Sequence, residues 1–378
     1  MYYFIYPDAD TTLYQASSSK NTGLDEILEI RKDLNASGTN PKVSRILMKF
    51  DLTEITKSMA NGTISSDAKF YLNLYDANPV NLSYTQSLYA YPVSQSWVVG
   101  EGYESDNPDT TDGASWKYRD GAETTIQQTY WSSTVSSSGG TWFDESYATQ
   151  SLVYETKDMR MDVTPIVSSW LNGTYPNEGF MIKRSGSVGN TDVNVEEGNN
   201  DVLGNFAFFS RQTNTIYPPK LEVEWFDTKW GTGSLSALSS TELEDMVFYM
   251  KGLRPEYKEK SKVKFRLVGR ERYPTKSYSN TASEYLTAKY LPSGSKESIG
   301  GDGTYYSVRD TQTEDVIVQY GTGSMVSCDS TGNYFNLWLD SFQPERYYKF
   351  EFKVVSGSNT VDETIQYFDD DFIFKVVR

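Results

Sequence analysis

Histidine is absent from the 378 residues, and cysteine occurs once, at Cys328. The first absence excludes Ser-His-Asp and Cys-His nucleophiles, histidine-ligated zinc or haem, and an imidazole proton shuttle. The second leaves no internal disulfide and no thiolate metal cluster. Positive charge is also short: 35 Lys and Arg stand against 51 Asp and Glu, a formal net charge of −16. Neutralising phosphates takes an excess of Lys and Arg, so nucleic acid is not an expected partner. Long apolar runs are missing too. The opening Met1-Tyr2-Tyr3-Phe4-Ile5-Tyr6-Pro7 is too short to span a bilayer or to act as a secretory h-region, and no basic residues precede it. No membrane insertion is expected, and the chain reads as a soluble protein made in a cytoplasm. In that setting the sequons at Asn35, Asn61, Asn81 and Asn172 carry no glycosylation inference.

Aromatic residues are plentiful: 15% of the chain, with 29 Tyr, set in short alternating runs bounded by Gly, Asn, Asp, Ser and Pro. Phe70, Leu72 and Leu74 alternate with Lys69, Tyr71 and Asn73. Leu221, Val223 and Trp225 alternate with Glu222 and Glu224. Tyr348, Phe350, Phe352 and Val354 alternate with Lys349, Glu351 and Lys353. A period of two with aromatic and β-branched enrichment predicts half-buried antiparallel strands in sandwiches or jelly rolls, an all-β chain. Helices are few. One is expected over Val163–Leu171, with Thr164 capping, Pro165 in the first turn and Asn172-Gly173 as the stop. A second short one is expected after Phe50-Asp51-Leu52. Ser239-x-x-Glu242 resembles a capping box, but Met246–Leu253 reads as a strand because Val-Phe-Tyr suits a pleated surface.

Gly231-Thr232-Gly233-Ser234 marks a flexible connection. Charge changes at the same place. Residues 1–228 hold 16 basic and 30 acidic side chains, a net of −14, while residues 229–378 hold 19 and 21, a net of −2. The expected organisation is therefore a first β-sandwich over 1–228, a linker over 229–239 and a second, immunoglobulin-like sandwich over 240–378.

An ordered set of segments in the first body carries a family resemblance. Asp10-Thr11-Thr12-Leu13, Asn21-Thr22-Gly23 and Ile27-Leu28-Glu29-Ile30 are followed by Arg45-Ile46-Leu47-Met48-Lys49-Phe50-Asp51-Leu52 and Ala68-Lys69-Phe70-Tyr71-Leu72. Trp97, Glu101-Gly102, Gly113-Ala114-Ser115-Trp116 and Gly140-Thr141-Trp142 come next. Asp162-Val163-Thr164, Trp170, Gly173, Asn177-Glu178-Gly179-Phe180, Phe209-Ser210 and Pro219-Lys220-Leu221-Glu222-Val223 close the series. Over residues 8–226 this resembles a DNRLRE-type domain, which implies a jelly roll of the kind found in bacterial surface proteins and as a carbohydrate-binding appendage of polysaccharide lyases. The family's Asp-Asn opening and secretion signal are missing, and the acidic insert around Gly102–Asp112 is additional. The aromatic, acidic, signal-less start also resembles virion structural proteins of tailed bacteriophages. That resemblance implies a tail, baseplate or fibre-attachment component located in the virion, with other virion subunits as partners. The alternative is an adhesion module that binds host surface glycan, and a third reading is a polysaccharide-degrading enzyme.

Three groups of residues are candidate sites. Glu101, Glu104, Asp106, Asp109 and Asp112 supply oxygen ligands on a flexible loop, as calcium requires, but depart from Asp-x-Asp-x-Asp-Gly spacing, so a solvated loop is expected and no metal is assigned. Trp97, Trp116, Trp131 and Trp142 read either as rings that stack on sugar faces or as sandwich filling. Ten basic residues meet three acidic ones from Lys251 to Lys276. Within that stretch Lys260, Lys262, Lys264 and Arg266 recur at period two, opposite Val263, Phe265 and Leu267. Such a stripe serves either docking onto an acidic subunit or protection of an edge strand. No motif places a nucleophile or an acid–base pair, so no catalytic residue and no cofactor is assigned and the chain is read as not an enzyme. Cys328, with no basic neighbour in sequence, is expected to be inert.

Overall fold

Alternation becomes strand throughout both halves of the chain. The computed structural model describes residues 1–34, 38, 41–78, 82, 85–121, 129–131, 139–153, 158–186, 196–238, 245–273, 288–292, 302–340, 342–356 and 364–378. It divides into two units. One comprises Phe4–Asn61 and Lys69–Val223; the other comprises Glu224–Arg378 together with Met1–Tyr3 and Gly62–Ala68. No described helix is long and apolar enough to cross a membrane.

The first unit is built from Phe4 and Ile5 of β1 (Tyr2–Ile5), from β2 (Ala9–Tyr14), β3 (Ile27–Leu34), β4 (Pro41–Lys49), β5 (Lys69–Leu74), β6 (Thr85–Pro92), β7 (Tyr118–Asp120), β8 (Thr129–Tyr130), β9 (Ala148–Val153), β10 (Met159–Asp162), β11 (Phe180–Lys183) and β12 (Gly204–Phe209), and from β13 (Lys220–Glu224) as far as Val223. A four-stranded sheet runs β1-β13-β5-β10. A larger one runs β12-β3-β4-β11-β6-β9, with β2 also paired to β4. The expected helices are present as α1 (Thr53–Ala60) and α2 (Thr164–Leu171). The cap of α2 differs from expectation. Thr164 sits inside the helix, its hydroxyl accepts the Phe70 N–H at 2.9 Å, and Asp162 accepts the Thr164 N–H at 3.0 Å in its place. Glu222 and Glu224, which alternation placed outward, are buried with the rest of β13. Arg160 donates to both Glu222 oxygens at 2.7 and 3.2 Å and lies 3.6 Å from the Tyr71 ring, so the carboxylate is compensated where it is buried.

Strand β4 is buried on both faces: Ile46 and Met48 on one, Val43, Arg45 and Leu47 on the other. The second face is covered by the long connection between β6 and β9, which contributes Trp97, Trp116 and Trp131 to one cluster with Leu13, Leu47 and Met181. Asn21 ties this cover down. Its amide donates to the carbonyls of Val99 and Ala114, each at 2.7 Å, and its oxygen accepts from the Gly102 N–H at 2.9 Å. Gly113, at φ +86°, comes so close to Gly100 that an added Cβ would lie 2.4 Å from the Gly100 Cα. Under the cover, Glu197 takes two hydrogen bonds from Arg45, at 2.6 and 3.1 Å, with Lys183 Nζ 3.7 Å away; all three side chains are buried. Burial pushes the Lys183 ammonium down to about 8, against the pull of Glu197.

The second unit contains β14 (Met246–Lys251), β15 (Glu256–Lys258), β16 (Lys262–Glu271), β17 (Gly303–Asp310), β18 (Val316–Val318), β19 (Ser327–Asp329), β20 (Gly332–Trp338), β21 (Arg346–Ser356) and β22 (Thr364–Val377). Two sheets, β14-β16-β20-β19 and β15-β22-β21-β17-β18, face each other. Among the described strands of this unit, β15 and β22 pair in parallel. Aromatic rings join the layers: Phe265 lies 4.8 Å from Phe350, Tyr306 stacks on Phe335 at 4.2 Å, and Phe248 stacks on Phe368 at 4.1 Å. Rings in such offset and edge arrangements add directional preference to area burial. The amino-terminal residues join this unit through Tyr2, whose hydroxyl donates to Glu224 at 2.9 Å, and Tyr3, which donates to Asp340 at 3.0 Å. The segment read as a linker is paired backbone here. The Cys328 N–H donates to Lys229 O at 2.9 Å, Gly231 N–H to Cys328 O at 3.0 Å, and Leu238 N–H to Tyr290 O at 2.9 Å. The proposed capping box at Ser239 and Glu242 lies outside the described residues.

Removing Glu197 takes away the buried carboxylate that Arg45 and Lys183 both face. Glu197→Ala is expected to cost about 3–5 kcal/mol of unfolding free energy, the range for breaking a buried pair. Urea denaturation followed by tryptophan fluorescence measures it, and a loss under about 1 kcal/mol would show that water reaches the pair.

Candidate functional site

The basic stripe lies on the outer face of the β14-β16-β20-β19 sheet. Phe265 and Leu267 point into the core, so Lys264 and Arg266 must point away from it. Opposed positions on β20 bring aromatic side chains to the same face: Lys262 is paired with Trp338 and Arg266 with Tyr334. Lys264 Nζ lies 3.6 Å from the Tyr334 ring centre and Lys262 Nζ 4.7 Å from that of Trp338. Lys251 on β14 stands directly across from Arg266 and is exposed.

Two features of the stripe differ from the sequence reading. Lys260 is not on the strand. It occupies a turn at φ +58°, which breaks the period-two register before β16 begins. Strand β16 lies between β14 and β20, so its lysines do not guard an edge. Part of the charge is also compensated. Arg266 donates to both oxygens of Asp329, at 2.6 and 2.8 Å, and Lys264 donates to the same carboxylate at 2.9 Å. These contacts, with that from the Thr331 hydroxyl, hold the Asp329 carboxyl well below the usual carboxylate range. Among the described residues Lys251, Lys260 and Lys262 form no ion pair. Asp329, Tyr334 and Trp338 were missed in sequence, and Lys251 was seen as the start of the basic stretch but not placed in the stripe. The alternation of Tyr334, Asn336 and Trp338 was visible, but its register against β16 was not.

The four tryptophans separate. Trp97, Trp116 and Trp131 are 9, 2 and 0% exposed and belong to the cover's core, which corrects the sugar-stacking reading for them: an enclosed ring has no face for a ligand. Their polar edges are used internally, Trp97 donating to Glu178 O at 2.8 Å and Trp131 to Ser115 O at 2.7 Å. Trp142 alone is half-buried, at the margin of the cover. There it meets three tyrosines that the sequence reading did not select. Tyr91 lies 6.0 Å from Trp142, 5.9 Å from Tyr147 and 6.3 Å from Tyr89, with Tyr147 53% exposed. Beyond the rings, Ser87 and Ser151 hydroxyls share a hydrogen bond at 3.0 Å on the same open face of β6 and β9.

The acidic run is occupied by a side chain of the protein itself. Lys20 Nζ donates to the carbonyls of Glu104 at 2.6 Å and Asp106 at 3.3 Å, and pairs with Asp109 at 3.1 Å. Among the described residues no group of carboxylates is arranged to hold a metal ion. Asp25 accepts from the Glu104 N–H, and burial pushes its carboxyl up to about 6, with the charges of Glu104, Glu29 and Asp106 adding to the shift. Cys328 is buried, and burial pushes its thiol up to about 11, with Asp329 acting in the same direction; at neutral pH little thiolate is present. A scan against protein-family models gives no match for this chain, and a search of the curated proteins gives none either.

The folded pKa of Asp329 lies below its unfolded value. Its contribution to stability is therefore complete above the ordinary carboxylate pKa of about 4 and is lost as the pH falls through the folded value. Arg266→Gln should be less stable than the wild type at neutral pH, and the gap should close on acidification below about pH 4. A gap that stays constant with pH would show that the Arg266–Asp329 contact contributes nothing.

Proposed function

We propose that the chain is a non-enzymatic structural subunit of a bacteriophage particle, in the tail, baseplate or fibre attachment, that works by docking its sheet faces onto neighbouring subunits. The observation that carries this reading is the exposed, aromatic-backed cationic face of Lys251, Lys262, Lys264 and Arg266 on a chain of net charge −16. Long-range complementarity of that kind orients a docking encounter and discourages wrong partners. The ordered DNRLRE-like motifs support it, as do the largely antiparallel sheets of both units, which suit a jelly roll and an immunoglobulin-like sandwich. Four buried or half-buried carboxylates are used structurally: Glu197, Glu222, Asp310 and Glu351 each accept from an arginine. Such engaged groups are poorly placed to exchange protons with a substrate. In particles assembled with Lys251→Glu/Lys262→Glu as the only copy, the chain should be depleted at least tenfold relative to wild type by quantitative mass spectrometry, with the circular dichroism of the purified variant unchanged. Normal incorporation, or absence of the wild-type chain from particles, would overturn the proposal.

A second reading, recognition of host surface glycan, is favoured by the half-open cluster of Trp142, Tyr89, Tyr91 and Tyr147 beside the Ser87 and Ser151 hydroxyls. Partly exposed rings with a polar edge offer both an apolar face and hydrogen bonds to a sugar. Here Trp142→Ala and Tyr91→Ala should each weaken binding to purified host polysaccharide at least tenfold in affinity electrophoresis. No retardation of the wild-type chain would remove this reading and leave the docking proposal standing.

A further inference from the structure

We infer that the cationic sheet face of the second unit docks onto the acidic first unit of another copy of this chain, in a head-to-tail manner. The inference rests on the docking reading above and names its partner. Two uneven charge distributions within one chain support it. Lys251 and Lys262 are exposed on the outer face of the β14-β16-β20-β19 sheet, and Lys264 and Arg266 share a single counter-charge, Asp329. The face therefore keeps an excess of positive charge after its internal pairing. The three anchored cations, Lys262, Lys264 and Arg266, lie over Trp338 and Tyr334, which restricts their motion before any partner arrives.

The complementary surface is on the first unit. Its segments, Phe4–Asn61 and Lys69–Val223, carry 16 basic and 27 acidic side chains, a net charge of −11. The densest exposed part is the run Glu101, Glu104 and Asp109, next to exposed Glu26. Among the described residues Lys20–Asp109 is the one ion pair formed by any of these four. Burial is the main reason that the Asp25 carboxyl beside the run is raised, and repulsion from Glu104, Glu29 and Asp106 adds to it. An added cationic surface relieves that repulsion.

A free acidic subunit would serve equally well by charge alone, but every copy of this chain brings both surfaces at equal concentration. Joining one patch to a different patch makes a heterologous contact, and repetition gives either a closed ring or an open filament. Both outcomes suit a particle component. Because the attraction is between exposed charges, salt must weaken it: the screening length is about 10 Å at 0.1 M and about 3 Å at 1 M.

Sedimentation velocity on the full chain tests this with two charge-reversed variants, Lys251→Glu/Lys262→Glu and Glu101→Lys/Asp109→Lys, each checked for native circular dichroism. The wild type should associate with rising concentration at low salt, and this association should weaken at least tenfold at about 1 M salt. Each variant alone should stay monomeric. Mixing the two should restore association, since the reversed face of one now meets the reversed loop of the other. A wild type that is monomeric at all concentrations, or a mixture that fails to recover, overturns the inference. Failure here is distinguishable from failure of the function. A monomeric wild type, with the Lys251→Glu/Lys262→Glu chain still lost from particles, means that the face docks a different subunit. Self-association with normal incorporation of that variant means that the contact exists but does not build the particle.

Discussion

In the second unit Phe265 on β16 packs 4.8 Å from Phe350 of the opposing sheet and 5.4 Å from Phe335 beside it. A strand has two sides, so seating Phe265 and Leu267 in the core commits Lys264 and Arg266 to the other side. The cationic face is a consequence of the aromatic core and would be lost with it. A one-residue slip of β16 would bury the charges and expose the rings. The pairing with β20 then adds Tyr334 and Trp338 beneath the cations, which gives the face a defined shape as well as a sign.

The first unit meets the same two-sided constraint differently. Its large sheet is buried on both faces near β4, because a long connection folds back over the outer side. Asn21 and the Gly100–Gly113 approach hold that cover, and its tryptophans fill it. Arg45 and Lys183, on the covered face, would be unstable there without Glu197, so a buried charge cluster accompanies the extra layer. Where the cover ends, at Trp142, the sheet face opens and the rings of Tyr89, Tyr91 and Tyr147 line it. Both candidate surfaces are thus parts of sheet faces that stay exposed or half-exposed among the described residues.

Local periodicity made the strands readable. Phe70-Leu72-Leu74, the β21 series from Tyr348 to Val354 and the strand beginning at Met246 all follow from side chains on alternate sides of a pleat. Helix α2 was readable because Pro165 and Gly173 act within a turn of themselves. The exposure of the tryptophans was not readable. Whether a Trp is covered depends on where the 55 residues between β6 and β9 fold, and composition is the same in either case. Nor was the partner of Arg266, because Asp329 is brought to it by the pairing of β16 with β20, which joins residues more than sixty apart, and by β19 beside β20.

The amino-acid sequence alone determined the all-β character, the sites of the two helices, the acid–base imbalance between the halves and the absence of imidazole chemistry, since each depends on composition or on neighbours a few residues apart. Tertiary structure alone decided which stripe charges stay unpaired, that Lys260 leaves the stripe, that three tryptophans are core while Trp142 joins a tyrosine cluster, and that Lys20 fills the acidic loop. These outcomes depend on sheet order and on chain segments distant in sequence coming to lie side by side, and no local pattern encodes that.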